Sequence, residues 1–136
     1  MTSQSEQYST HVRAFSELLI RLRSALGNDL DKVLILAVIA ERHYAGAAAA
    51  DDAELPAEDR AAARERCAIN AHSVALYAGI PRETARRKIA ALVEKGWVAC
   101  DPAGGLSPTE RAAEDLADGT AATLKYIRLV KQPGRD

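Results

Sequence analysis

The predicted fold is decided by residues 70–107, which read NAHSVALYAGIPRETARRKIAALVEKGWVACDPAGGLS. Asn70 is a residue type that caps helices, and the residues after it predict a short helix through Ala78. Gly79-Ile80-Pro81 predicts a tight turn, and a second helix is predicted from Arg82 to Lys95. Two short helices joined by a tight glycine-containing turn, with a hairpin after them, are typical of a winged helix-turn-helix.

The hairpin is predicted after Gly96, where Trp97–Cys100 and Leu106–Ser107 indicate two strands. Residues 101–105 between them are turn formers and predict the tip of the wing. The turn also fits the motif, because Gly79 lies where the chain must turn with a positive φ. The positions predicted to form the small core of the motif are Val74, Ala75, Ala78, Ile80 and Ala85.

The second predicted helix separates apolar from polar side chains at 100° per residue. Ala85, Ile89, Leu92 and Val93 form its predicted inward side. The other side is typical of a recognition helix, because its N-terminal half can reach base edges and its flanks carry cations for phosphates. The candidate DNA-contacting residues are Arg82, Glu83, Thr84, Arg86, Arg87 and Lys88.

Two interpretations of these charged residues remain open. Arginine can bind guanine with two hydrogen bonds, and a glutamate can accept one from cytosine. Glu83 and Arg87 are also four positions apart, so that an ion pair on the helix surface is the alternative. For Arg86 and Lys88, we expect contacts with phosphates or a solvated charge rather than contacts with bases.

The segment from Gly79 to Arg87 resembles the recognition helix of the catabolite activator protein family. The resemblance implies that Arg82, Glu83 and Arg87 read bases. The chain shows no counterpart of the large cyclic-nucleotide-binding domain of that family, so we expect no cyclic nucleotide.

The whole layout is similar to that of the MarR family, which has helices at both ends that build a dimer and a winged helix between them. Residues 106–112 resemble the segment that leads from the wing into the last helix in that family. The resemblance is strong over about residues 68–112 and only architectural elsewhere. The wing tip departs from the family, since residues 101–105 contain no Arg or Lys to enter a minor groove.

Helices are also predicted before the motif. Residues 1–7 are polar and predict a frayed arm, and a helix with an apolar seam follows and ends near Gly27. A second helix is predicted from about Leu30 to Ala47. Its apolar run over residues 33–40 has the length of a buried strand, but it continues without a turn signal, which favours a helix. The seam of the first helix is Tyr8, Val12, Phe15, Leu19, Leu22 and Leu26.

The remaining segments complete a single predicted domain. Residues 51–66 form an acidic connection, with a short exposed helix from about Ala57 to Glu65. Cys67–Ile69 is a possible short strand. The last helix is predicted to begin at Pro108, to end near Val130 and to lie within residues 108–132. We expect homodimerisation through the helices of residues 8–50 and 108–132, because exposed apolar seams need a partner. The seam of the last helix is Leu116, Thr120, Thr123, Ile127 and Val130.

Composition supports a mainly α-helical protein with a small β-hairpin. The chain has 136 residues, of which 48% are hydrophobic and 4% aromatic, enough for one domain with an Ala- and Leu-rich core. The net charge of −1 is unusual for a DNA-binding domain. The charge is uneven, however, since residues 82–95 hold five bases against two acids. A local basic face of this kind can contact phosphates while the whole chain stays neutral.

Other classes of function have little support in the sequence. No catalytic motif is visible, and the histidines have no metal-ligand spacing, so we expect no enzyme, cofactor or metal. Residues 1–10 are polar and the apolar run over residues 33–40 is short, so that we expect a soluble, cytoplasmic protein without a membrane span. Cys67 and Cys100 are small hydrophobes unless oxidation joins them, which is a weaker redox-sensor interpretation.

The sequence therefore predicts a sequence-specific transcriptional regulator that binds double-stranded DNA. We expect a repressor that binds a pseudo-palindromic operator as a homodimer, with any small-molecule effector unidentified. The alternative is a winged-helix module for protein interaction that no longer binds DNA, which the net charge and the lack of a cation at the wing tip would suit.

Overall fold

The computed structural model describes residues 3–131 and is mainly helical with one small antiparallel hairpin, as the sequence predicts. The elements in chain order are α1 (Gln4–Ala25), α2 (Leu30–Ala50), α3 (Ala57–Cys67), α4 (Ala71–Ala78), α5 (Arg82–Glu94), β1 (Val98–Cys100), β2 (Leu106–Pro108), α6 (Glu110–Asp115) and α7 (Ala117–Lys131).

The contacts divide the chain into two compact units, where the sequence analysis treats it as one domain. We call Met1–Leu30 together with Ala113–Asp136 the terminal-helix unit, and Asp31–Ala112 the central unit. The terminal-helix unit holds α1 and α7, and the central unit holds α3, α4, α5 and the hairpin. Each unit is described by itself.

In the terminal-helix unit, α1 and α7 pack against each other in opposite directions. The ring centroids of Phe15 and Tyr126 are 5.9 Å apart. Further along α1, the Leu22 side chain packs over Gly119, where an added Cβ atom would lie 3.0 Å from Cδ2 of Leu22. The residue numbers rise along α1 while those of their neighbours fall along α7, which makes the pair antiparallel.

The start of α1 corrects the prediction of a frayed arm over residues 1–7, of which residues 1 and 2 lie outside the described part. Ser3 caps the helix, since its hydroxyl accepts a hydrogen bond from the Glu6 amide at 3.1 Å. The Glu6 carboxylate accepts one in return from the Ser3 amide, also at 3.1 Å. This reciprocal capping box starts the helix at Gln4 rather than near Tyr8.

The last predicted helix is also corrected. Pro108 ends β2 instead of opening a helix, and Thr109 caps α6 by accepting a hydrogen bond from the Ala112 amide at 3.1 Å. The helix then breaks at Leu116, so that α6 and α7 are separate elements. The Thr109 hydroxyl also donates to the Gly96 carbonyl at 2.6 Å, which ties the end of the hairpin to its beginning.

The core of the central unit contains the predicted positions around the turn. Val74, Ala75, Ile80 and Ala85 are buried, and Ala78 is half-buried. Gly79 adopts a left-handed φ of 70°, and this allows the Ile80 amide to donate to the Ala75 carbonyl at 3.1 Å. The largest fully buried side chains join α2 to this core, and they are Ile35, Ile39, Val74 and Leu92.

The hairpin pairs β1 with β2 in the antiparallel register Val98↔Pro108, Ala99↔Ser107 and Cys100↔Leu106. The predicted strand at Cys67–Ile69 shrinks to a single bridge, in which the Leu106 amide donates to the Ile69 carbonyl at 2.8 Å. Cys67 belongs to α3 instead, because the helix continues through it.

Helix α2 forms as a helix through its apolar run, so the strand alternative is wrong, and it extends to Ala50. By length and composition alone its 21 residues could cross a membrane, although the core helix of a soluble protein meets the same criterion. The connection to α3 is therefore shorter than predicted and covers residues 51–56. None of the residues of α3 is buried, as its predicted exposure requires.

Candidate nucleic-acid interface

Helix α5 is held against the central unit by one apolar side. Ala85, Ile89 and Leu92 are buried, whereas Val93, predicted to point inward, is exposed. Because a helix has its opposite side turned away from the core, four of the six candidate residues are exposed: Arg82, Glu83, Arg86 and Arg87. The other two, Thr84 and Lys88, are half-buried.

Glu83 forms an ion pair with Arg86, three positions away, instead of the predicted alternative with Arg87. The Arg86 Nε donates to one carboxylate oxygen at 3.1 Å, and its Nη2 donates to the other oxygen. The hydrogen bonds and the positive charge of Arg86 lower the pKa of Glu83, while Arg87 acts on it only through its charge. The same contacts raise the pKa of Arg86.

This pairing changes what Glu83 and Arg86 can offer a ligand. Both carboxylate oxygens of Glu83 already accept hydrogen bonds, so a cytosine amino group would have to share one of them. The guanidinium of Arg86 has five donor hydrogens and uses two here. Arg86 therefore keeps donors for a phosphate, although its charge is partly neutralised.

Arg82 and Arg87 are the cations of α5 that the protein leaves available. Neither side chain makes a hydrogen bond or an ion pair with any residue in the 3–131 range that the structure describes. Both are exposed, and Arg82 is the first residue of the helix. An exposed cation without a partner stays hydrated until an anion or a base edge replaces the water, which is what direct readout of DNA requires.

Lys88 is placed differently from the other candidates. Its ammonium group lies 3.5 Å from a carboxylate oxygen of Asp31, in the first turn of α2. Only 22% of the Lys88 side chain is exposed. The sequence analysis missed Asp31, because 57 residues separate the partners and no local pattern reports a contact at that distance.

The tip of the hairpin, residues 101–105, is shaped by Asp101. Its carboxylate accepts hydrogen bonds from the amides of Ala103, at 2.9 Å, and Gly105, at 2.8 Å. A Cβ at Gly105 would lie 2.5 Å from the second carboxylate oxygen, so a larger residue there would force the Asp101 side chain to move. The carboxylate that shapes the tip is turned toward its backbone amides, and the tip has no cation of its own. Contact with DNA at this point would therefore depend on the backbone.

The base of the hairpin is fixed by packing and by a backbone hydrogen bond. Trp97 is buried, and the ammonium group of Lys95 lies 5.3 Å from the centroid of its ring. The Thr109 amide donates to the Trp97 carbonyl at 3.1 Å. The side chain of Arg111 passes over Gly96, where an added Cβ would lie 3.1 Å from its Cδ.

The cysteines and candidate metal ligands form no site in the described residues. Cys67 and Cys100 are both free thiols; Cys67 packs against Gly46 and Cys100 is exposed at the end of β1. Within residues 3–131 no three side chains of His, Cys, Asp or Glu are grouped as metal ligands would be.

The comparisons with known proteins identify no relative. No family model matches the chain, and no curated protein or solved structure is detectably similar to it.

Proposed function

We propose that this chain is a MarR-like winged helix-turn-helix regulator that binds double-stranded DNA in a sequence-specific way. The observation that carries the proposal is the presentation of α5. Its buried side packs on the core, its turn from α4 is tight, and its outward side holds Arg82 and Arg87, which have no partner among residues 3–131. This is the arrangement by which a recognition helix enters a major groove.

The proposed DNA contacts of α5 follow from which of its charged side chains form ion pairs within the protein. Arg82 and Arg87 are the side chains for guanine edges, since each can donate two parallel hydrogen bonds. Arg86 keeps free donors and contributes a phosphate contact beside its bond to Glu83. Thr84 is half-buried and can contact DNA only along the edge of the helix. Specificity is therefore proposed to come from two arginines rather than from the whole charged segment.

The homodimer is proposed to form through one face of the terminal-helix unit, which we call the terminal apolar face. Its members are exposed by 39–71%, a large apolar surface for a pair of helices. At 100° per residue, the charged residues Glu6, Arg13 and Glu17 lie within about 20° of the side of α1 opposite Phe15. The terminal apolar face consists of Tyr8, Val12, Phe15, Ile127 and Val130.

A second copy on this face would give a two-fold molecule with two recognition helices. Such a dimer binds two half-sites about 34 Å apart, or multiples of that, so the operator is proposed to be pseudo-palindromic. Repression is the proposed outcome, because a dimer on its operator blocks access to the DNA. The proposal places the protein in the cytoplasm with its DNA.

A protein-interaction module is the second candidate, and one surface favours it. Leu76 and Tyr77 of α4 are exposed by 71% and 67%, and the Arg42 guanidinium lies 5.5 Å from the centroid of the Tyr77 ring. Exposed apolar side chains next to a cation are typical of protein-binding surfaces. The proposed DNA contacts include none of these side chains. Substitutions here should therefore affect protein binding and leave DNA binding unchanged.

The proposal is tested by selecting duplexes from a random pool at two salt concentrations and sequencing the retained DNA. We expect an enriched inverted repeat and binding that weakens as salt rises. Arg87→Ala should weaken binding by roughly 1–3 kcal/mol, the cost of one bidentate base contact. Arg13→Ala in α1 is the matched control and should bind as the unaltered protein does. The absence of any enrichment, with no binding at low salt, would contradict the proposal.

A further inference from the structure

Lys88 is tied to a residue outside the recognition helix. Its ammonium group lies 3.5 Å from Asp31, and the side chains of the pair are exposed by 22% and 44%. A lysine that contacts phosphates needs a mobile, solvated head, because its charge acts as a point that follows the anion. The geometry of Lys88 is that of a tether between two helices.

Both ends of this tether lie beside buried residues. Asp31 is one turn before Ile35, which is fully buried, and Lys88 directly precedes the buried Ile89. The ion pair therefore links α2 to α5 close to a buried side chain of each helix. Asp31 also lies in the first turn of α2, where the helix dipole favours a carboxylate.

We infer that Lys88 and Asp31 together are positioning residues that set the orientation of α5 for DNA. The inference rests on the proposed DNA-binding function and replaces the phosphate contact predicted for Lys88. A base contact is lost when a side chain moves by about 1 Å, since hydrogen bonds weaken steeply with distance and angle. The Lys88–Asp31 pair fixes the angle of α5 and so affects how Arg82 and Arg87 reach the bases. The pair itself does not contact DNA.

A positioning role and a direct contact with DNA predict opposite effects of Asp31→Asn on DNA affinity. If only charge mattered, Asp31→Asn would remove a negative charge beside Lys88 and strengthen DNA binding. If the pair positions α5, Asp31→Asn and Lys88→Ala should both weaken binding by a similar factor, about two- to fivefold for a partly exposed pair. The two effects should not add fully in the double variant, because both substitutions remove the Lys88–Asp31 contact.

The experiment measures duplex affinity of the full-length protein against salt for these three variants and for the charge exchange Asp31→Lys with Lys88→Asp. The exchange should recover binding, and the salt slope should stay that of the unaltered protein in every variant. Asp118→Asn and Lys125→Ala are matched controls in α7, one an acid of a first helical turn and the other an exposed lysine. Neither should change affinity.

Three results would overturn the inference while leaving the proposed function in place. They are stronger binding by Asp31→Asn, a salt slope smaller by about one in Lys88→Ala, or no recovery in the charge exchange. Absence of binding by the unaltered protein would instead contradict the proposed function, and the inference with it. Circular dichroism and thermal unfolding of each variant separate lost folding from lost orientation.

Discussion

The two units of the chain bury very different shares of their side chains. In the central unit, the 13 residues of α5 contribute three buried apolar side chains, and α2 and α4 contribute buried apolar side chains of their own. In the terminal-helix unit, the 22 residues of α1 contribute only Ala14, and α7 contributes only Gly119. A helix is stabilised mainly by tertiary packing of its apolar side. The central unit therefore has a core of its own, whereas the terminal helices expose the surface that should hold them.

This difference suits the two units to different roles. The well-packed unit can hold a recognition helix at a fixed angle, as readout of base edges requires. The sparsely packed unit presents apolar side chains that a partner would cover.

The first prediction concerns the core of the central unit. Leu92→Ala removes a fully buried side chain and should lower the free energy of unfolding by about 2–5 kcal/mol. Leu124→Ala in α7 makes the same change at an exposed position and should cost less than about 0.5 kcal/mol. Urea unfolding followed by circular dichroism gives both values, and equal losses would abolish the contrast between the units.

The second prediction concerns the terminal apolar face. Val12→Glu places a charge on the proposed dimer interface and should raise the dimer dissociation constant at least about tenfold, which corresponds to about 1.4 kcal/mol. Ile20→Glu is the matched control, because Ile20 is exposed on another side of α1. Sedimentation equilibrium measures the constant. A monomeric unaltered protein, or equal effects of the two variants, would show that this face does not hold a second copy.

The third prediction is the smallest and concerns the surface of α5. Arg86→Ala should raise the pKa of Glu83 toward its ordinary value, because the hydrogen bonds and charge that depress it are removed. A depressed carboxyl pKa stabilises the fold above the ordinary pKa, and this contribution is lost as the pH falls through the folded pKa. NMR titration of the Glu83 side chain measures the change, and an unchanged pKa would show that Arg86 does not hold the carboxylate in solution.

The sequence predicts those elements whose signals are local. The helices α4 and α5, the turn at Gly79 and the hairpin follow from capping, glycine and apolar spacing within a few residues. The break at Leu116 was missed because no Gly or Pro lies between Pro108 and Leu116 to mark it. The partner of Glu83 was missed because residues three and four positions away are both within reach on a helix.

Long-range placement could not be predicted in the same way. Lysine is a residue type that binds phosphates, and the sequence therefore predicts this role for Lys88. Its contact with Asp31 arises only in the folded protein, where α5 lies beside α2. The start of α1 could have been found, since Ser3 and Glu6 have the spacing of a capping box. Contacts that depend on tertiary packing therefore define the limit of the sequence analysis, and they are also the contacts that reassign Lys88.

The central claim is that α5 reads DNA as part of a two-fold dimer, and a hydroxyl-radical footprint on the selected duplex tests it most directly. The account predicts two protected segments whose centres lie about 10–10.5 base pairs apart, or a multiple of that, and the loss of both in Arg87→Ala. Uniform cleavage at protein concentrations that saturate the terminal-helix dimer would contradict it and would favour the protein-interaction surface on α4.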